Sequence, residues 1–280
     1  MIKKVYIAML AYNMELTIGP AIASTYDYVD EIIVVDGSTD GPSTDNTAEI
    51  AQSFGKKITY ISGTFTAEDG SWDEIKQRQV SLALAEKDFN NWMILQDADE
   101  VYDKEKFIRF IEYLQAAKTI TKVFSVSSIS FWRDINHCIT GGQWSAPRAC
   151  SAWRLIPQIQ QLAYNVIGTI KDNGFRDNWR TLYEHKRVPI PSNEVFFYHY
   201  GHVLSYERAA FKQRYMVEQG WYAKSGYEKT DWKRYEIEEF IPLWNKKTNI
   251  PGCVEFTGRH PATMLPALDR LKDIWKEQKC

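Results

Sequence analysis

The fold of this chain is indicated by residues 90–114, which read NNWMILQDADEVYDKEKFIRFIEYL. Apolar residues at 92–95 predict a buried strand, and the carboxylates Asp97, Asp99 and Glu100 follow it at once. An ionised group at the edge of a core is costly unless it is paired. These carboxylates therefore need a helix N-terminus, a basic side chain or a ligand. Asp103 is the expected N-cap of the helix that follows.

Strand and helix patterns alternate over the first 130 residues. This alternation predicts an α/β fold with a mostly parallel sheet and helices on both faces. Ser43 or Thr44 is the expected N-cap of the second helix. The predicted strands lie near residues 5–10, 31–41, 56–62, 92–96 and 122–132, and the predicted helices lie at 15–26, 47–54, 72–87 and from 103 onward.

Polar and acidic residues follow three of the predicted strands. In parallel sheets of this kind, ligands bind outside the carboxyl ends of the strands. We therefore expect the following residues to line a ligand crevice. They are Tyr12, Asn13 and Glu15 after the first strand, Asp36, Gly37, Ser38, Thr39 and Asp40 after the second, and Asp97, Asp99 and Glu100 after the fourth.

Composition limits the classes of function. The chain has 280 residues, of which 44% are hydrophobic and 25% charged, and its net charge of −2 gives no basic field that would favour nucleic acid. No apolar run is long enough to span a membrane, and residues 1–13 are interpreted as a strand and not as a signal peptide. The four cysteines are scattered without a CxxC pair, so we expect reduced thiols and a cytoplasmic location.

The pattern weakens after residue 130. Residues 137–150, HCITGGQWSAPRAC, are expected to form a loop, and residues 194–203, EVFFYHYGHV, to form a strand. Helical patterns return at 206–223 and 262–278. We expect one domain over 1–205 and a helical C-terminal extension over 206–280.

The Asp97-Ala98-Asp99 triplet is a candidate metal site. On an extended segment, side chains two residues apart point the same way, so both carboxylates could hold a hard divalent cation beside phosphate oxygens. One of them could instead cap the following helix, or both could lie in solvent. The DGSTD segment at 36–40 is open to a similar alternative, because it would also suit an ordinary polar turn between strand and helix.

Four motifs in this order resemble the family 2 glycosyltransferases of the GT-A fold. The first strand ends in AYNMEL, and the second reads VDEIIVVDGSTDG with an insertion after it. KQRQVSLAL stands where the family has an ARN-type helix, and LQDADE stands where it has LDADE. The resemblance covers roughly residues 3–205, and the joint order is more specific than any single motif.

The resemblance implies a nucleoside-diphosphate sugar as donor, with UDP or GDP as its nucleotide, and a glycan or another hydroxyl compound as acceptor. It also implies Mn²⁺ or Mg²⁺ at the DxD-type carboxylates. The implied nucleotide-binding residues are Tyr12, Asn13, Glu15, Asp36, Ser38, Arg78 and Asp97, and the implied metal ligands are Asp97, Asp99 and His199 of the HYG-type segment. Asp36 is expected to contact the base, and Asp99 to ligate the metal directly.

The catalytic base is also inferred from the resemblance. Residues 168–172, GTIKD, match the family segment G-x-V-H-E, so that Asp172 takes the place of the glutamate. An inverting transfer needs such a base to remove the proton of the acceptor hydroxyl. Lys171 for histidine and Asp172 for glutamate both depart from the family pattern, and Asp177 and Glu184 are rival candidates.

Two other functions are compatible with the same scaffold. A nucleotidyltransferase would normally carry a Gly-rich loop with Arg and Lys after the first strand, and AYNMELTIG lacks one. A non-catalytic protein that binds nucleotides or sugars is the other alternative. Release of UDP or GDP from nucleotide sugars in the presence of Mn²⁺ would separate the enzyme from the binding protein.

Overall fold

A computed structural model gives the structure of most of the chain. It describes residues 4–68, 70, 72–86, 88, 90–119, 121, 123–139, 152–155, 187–204 and 253–276.

A largely parallel sheet forms the centre of the described structure. Its strand order is β10-β6-β9-β4-β1-β2-β3, and β9 runs antiparallel to both of its neighbours, β4 and β6. The predicted parallel arrangement is thereby confirmed for β1–β4. The strands are β1 (Val5–Ala11), β2 (Glu31–Ser38), β3 (Ile58–Thr64), β4 (Trp92–Leu95), β6 (Val123–Ser125), β9 (Ala152–Arg154) and β10 (Arg187–Pro189).

Both faces of this sheet are covered, which explains why its central strands are apolar throughout. In β1, Ile7 and Met9 belong to one buried cluster, whereas Tyr6 and Ala8 belong to the cluster on the opposite face. Side chains alternate across a strand, so a strand buried on both faces carries a continuous hydrophobic run and not an alternating one.

The helices follow the strands as the sequence predicts, although each is shorter than its predicted range. Asp103 caps α4, because its side chain accepts a hydrogen bond from the backbone N–H of Glu105 at 3.0 Å. Phe107, Phe110 and Leu114 form the buried face of that helix. The helices are α1 (Ile18–Ala23), α2 (Thr47–Ser53), α3 (Glu74–Leu84), α4 (Lys104–Ala116) and α5 (Leu265–Lys276).

A second sheet packs beside the first and has the order β12-β8-β7-β11-β5. It joins the segment after Asp99 to the predicted HYG-type strand, since β11 pairs with β5 and places His199 opposite Glu100. Its strands are β5 (Glu100–Tyr102), β7 (Ser127–Trp132), β8 (Asp134–Ile139), β11 (Phe196–His199) and β12 (Cys253–Glu255).

Three local predictions are wrong. The single strand expected at 122–132 is divided at Val126, so that β6 and β7 belong to different sheets. Residues 137–139 were expected to lie in a loop but complete β8, because β12 pairs with them. The N-cap of α2 is Asn46, whereas the Ser43 hydroxyl is directed to Asp36.

The C-terminal part of the described structure packs against the N-terminal part. Met264 and Leu271 lie in the same buried cluster as Ile18 and Ile22 of α1, and Arg270 forms an ion pair with Glu15 at 3.1 Å. Within the described residues, no helix is both long and apolar enough to cross a membrane.

Candidate active site

The ends of β1, β2 and β4 lie side by side, as the sequence predicts. Backbone hydrogen bonds from Gln96 to the carbonyl of Ala8 (3.1 Å) and from Ala98 to that of Leu10 (3.0 Å) continue the pairing beyond β4. Asp36 in β2 pairs with Ala11, the last residue of β1. The acidic segment after β4 is therefore held beside the end of β1.

The segment that carries the acidic residues is a turn and not an extended chain. The backbone N–H of Glu100 donates to the carbonyl of Asp97 at 2.9 Å. Gln96 fixes the turn from inside, since its side-chain amide donates to the carbonyls of Ala21 (3.0 Å) and Glu100 (2.8 Å). The argument that Asp97 and Asp99 point the same way along a strand therefore does not apply to this turn.

Asp99, Glu100 and His199 form a cluster whose geometry could hold a metal ion. One ligand atom from each residue lies within 4.8 Å of the other two, and His199 Nε2 is 3.7 Å from Asp99 Oδ1. The Asp99 residue is only 7% exposed, and its Oδ1 atom has no hydrogen-bond partner among the described residues. A buried carboxylate oxygen without a partner is costly, and two carboxylates with an imidazole are suitable donors for a divalent ion.

Asp97 lies outside this cluster and is paired with Arg78. The Arg78 guanidinium donates to Asp97 Oδ1 at 3.1 Å, and its Nε donates to Glu74 at 2.7 Å. Burial alone would lower the pKa of Arg78, but the negative charges of Asp97 and Glu74 outweigh burial and raise it. Arg78 Nη1 is also buried and has no hydrogen-bond partner among the described residues. A permanently charged donor is therefore available there for an anion.

Asp36 is fully buried, and its carboxylate is held by three hydrogen bonds. Tyr60 donates its hydroxyl at 2.7 Å and Ser43 donates its backbone N–H at 2.9 Å, both to Oδ2, while the Ser43 hydroxyl donates to Oδ1. Burial and the bond to this carboxylate raise the pKa of the Tyr60 phenol. Ser38, two residues further along, is bonded within its own turn, because its N–H donates to the carbonyl of Gly41 at 2.9 Å.

Other predicted residues line an open cleft of about 400 Å³. Asn13, Glu15 and Asp99 contribute to its walls, and Leu271 and Ile274 of α5 close another side. Tyr12 is half-buried at the end of β1. The cleft thus brings residues from the first strand and the acidic turn together with the C-terminal helix.

Some predictions fall on parts of the chain that the structure does not describe. Asp172 and its rivals Asp177 and Glu184 lie outside the described residues, as do the helical pattern at 206–223 and Lys171.

Sequence reasoning left two residues without a role at this site. Glu100 was noted only as a neighbour of the triplet, and its pairing opposite His199 across β5 and β11 was not visible in the local pattern. Ser43 was assigned to a helix cap. The insertion after DGSTDG was the one signal that this loop is unusual.

The site joins a buried acidic group to a charged donor at the carboxyl ends of parallel strands. Such an arrangement suits a phosphorylated ligand together with a divalent cation. Comparison with known protein families identifies the class. Residues 6–215 match the model of Glycosyl transferase family 2, which is well over half of the chain.

The chain belongs to glycosyl transferase family 2 and is a glycosyltransferase with the mixed α/β fold of that family. None of the curated proteins compared with it matches.

Solved structures with a related chain course include two glycosyltransferases. S. aureus TarS 1–349 is 14% identical, with 97% of this chain and 83% of that chain covered and a TM-score of 0.45. Glucosyl-3-phosphoglycerate synthase from Mycobacterium tuberculosis, in complex with Mn²⁺, UDP and glucosyl-3-phosphoglycerate, is 14% identical, with 78% and 80% covered and a TM-score of 0.42. The assignment to the family rests on the family match and not on these similarities.

Proposed function

We propose that this glycosyltransferase is metal-dependent and transfers one sugar, with inversion, from a UDP- or GDP-sugar to the hydroxyl of a glycan or another acceptor. The observation that carries the proposal is the buried Asp99 oxygen, which has no hydrogen-bond partner among the described residues and lies beside His199 and Glu100. Because a buried carboxylate needs a partner, a cation is the simplest way to satisfy it.

Each predicted residue has a place in this proposal. Asp99, Glu100 and His199 would hold Mn²⁺ or Mg²⁺, and Asp97 would act through its ion pair with Arg78 unless the loaded site draws it to the metal. Tyr12, Asn13, Glu15, Asp36 and Ser38 would flank the nucleoside at the ends of β1 and β2. When bound, the ion would neutralise charge on the diphosphate leaving group.

The transfer itself requires one bond to form as another breaks. The acceptor oxygen attacks the anomeric carbon from the face opposite the diphosphate, and the bond from that carbon to the phosphate oxygen breaks with its electron pair. Asp172 is proposed to take the proton of the acceptor hydroxyl as the new bond forms. Arg78 stabilises the charge that develops on the diphosphate, because its Nη1 atom is a fixed donor that needs no reorganisation.

Nucleotide release from a panel of UDP- and GDP-sugars tests this proposal. We expect release of UDP or GDP with at least one donor in the presence of Mn²⁺, and loss of that release when EDTA removes the ion. If none of the donors is cleaved in the presence of various glycans, the alternative of a non-catalytic binding protein is favoured. Release that is unaffected by EDTA would refute the metal requirement.

Replacement of Arg78 by lysine is expected to raise the KM for the nucleotide sugar about tenfold, because the ammonium group cannot reproduce the planar fork of the guanidinium. Steady-state kinetics with the active donor measure this change. Arg109→Lys is the matched control, since Arg109 forms ion pairs with Glu112 and Glu194 on an exposed surface. Equal KM values for the Arg78 variant and the wild type would remove Arg78 from the donor site.

Two broader expectations remain part of the proposal. A cytoplasmic location is supported by cysteine spacing and by the free thiols of Cys138 and Cys253. The division at residue 205 is supported by the end of the motif-bearing region, although β12 and α5 pack on the first part of the chain.

A further inference from the structure

The insertion after DGSTDG forms a loop that we call the 42–46 loop, from Pro42 to Asn46. The loop lies across the ends of β1 and β2, and Ser43 stands at its centre. The Ser43 hydroxyl donates to Asp36 Oδ1 and accepts a hydrogen bond from the backbone N–H of Asn13 at 2.7 Å. One side chain therefore connects the two strand ends that are proposed to flank the nucleoside.

Ser43 presents two donors to the same carboxylate. Its backbone N–H and its hydroxyl reach the two oxygens of Asp36, and Tyr60 supplies the third bond. Asp36 has no exposed surface in this arrangement. A base therefore cannot reach the carboxylate of Asp36 while Ser43 stays where it is.

The rest of the loop is held by polar contacts at the surface. The backbone N–H of Thr44 donates to Asn13 Oδ1 at 2.8 Å, and Asp45 accepts from the backbone N–H of Glu15 at 3.2 Å. Asn46 donates its side-chain amide to Glu15 at 3.1 Å. Pro42, Thr44 and Asn46 are exposed, so the loop has little apolar surface in the core to resist a displacement.

We propose that Ser43 competes with the nucleobase of the donor for Asp36, so that the 42–46 loop must leave the carboxylate before the base can bind. The proposal rests on the proposed function, because it concerns the same nucleoside site. A base that replaces Ser43 must bring an N–H donor to the carboxylate, as the ring N–H of uracil and that of guanine both do. The cost of lifting the loop lowers the apparent affinity for every nucleotide that uses Asp36.

Calorimetric titration of UDP and GDP, each with Mn²⁺, tests this competition in the full-length chain. Ser43→Ala removes the hydroxyl bond to Asp36, so we expect it to bind the better of the two nucleotides about 3- to 10-fold more tightly than the wild type. Ser43→Thr keeps the hydroxyl and should bind as the wild type does. Ser53→Ala is the matched control, because its hydroxyl bonds only to a carbonyl of its own helix.

The outcomes separate this inference from the proposed function. If the wild type binds UDP or GDP but Ser43→Ala binds with equal or lower affinity, Ser43 supports the nucleoside site and does not compete for it, and the inference is overturned while the proposed function stands. If neither nucleotide binds to the wild type and no nucleotide sugar is cleaved, the proposed function fails and the inference fails with it.

Discussion

Replacement of Asp99 by asparagine is expected to lower the rate of sugar transfer by about 10²- to 10³-fold, because the divalent ion and the charge it supplies to the leaving group are lost. The change is nearly isosteric and removes only the charge of a buried side chain whose Oδ1 atom has no hydrogen-bond partner in the described structure. The free energy of unfolding without metal should therefore stay the same or increase. Initial rates at saturating Mn²⁺ and thermal unfolding with and without Mn²⁺ measure both effects.

Asp269→Asn provides the control for this substitution. Asp269 is highly exposed on α5 and pairs only with Lys272 at the surface. It should retain full activity and the same metal-dependent increase in Tm as the wild type. Asp99→Asn should lose both. An active Asp99 variant that still gains stability from Mn²⁺ would contradict the assigned metal site.

Replacement of Gly37 by alanine is expected to lower the free energy of unfolding by about 3 to 5 kcal/mol. Gly37 has φ of +149°, and a Cβ atom there would stand 2.0 Å from the backbone carbonyl oxygen of Gly63. The two glycines face each other across β2 and β3, so the strands would have to separate. Urea denaturation followed by circular dichroism measures the loss.

Gly55→Ala separates the two causes of that loss. Gly55 also has a positive φ, +86°, but no atom lies within 4 Å of a Cβ placed there. Its replacement should cost only the backbone strain, about 1 to 2 kcal/mol. Equal losses for the two variants would show that the close approach of β3 is not what requires glycine at position 37.

The sequence was sufficient to predict the central sheet because its signals are local. The apolar runs of β1, β2 and β4 reflect burial on both faces, and Asp103 satisfies the backbone of the helix that it precedes. The order of the motifs then placed the acidic turn and the end of β1 at one edge. Each of these features can be read from a window of a few residues.

The remaining features depend on contacts between distant residues. The division of 122–132 follows from which sheet each half joins, and β8 includes residues 137–139 because β12 pairs with them from more than 100 positions away. Glu100 becomes a candidate ligand only when β11 brings His199 opposite to it. Ser43 has the composition of a helix cap, but the carboxylate of Asp36 is a stronger acceptor for its hydroxyl.

Anomalous scattering from crystals grown with Mn²⁺ and the tighter-binding nucleotide, UDP or GDP, tests the central claim most directly. We expect a manganese peak between Asp99 and His199, in contact with the diphosphate. A diphosphate bound elsewhere, or a manganese peak that avoids Asp99, would contradict the claim that this acidic turn carries the donor.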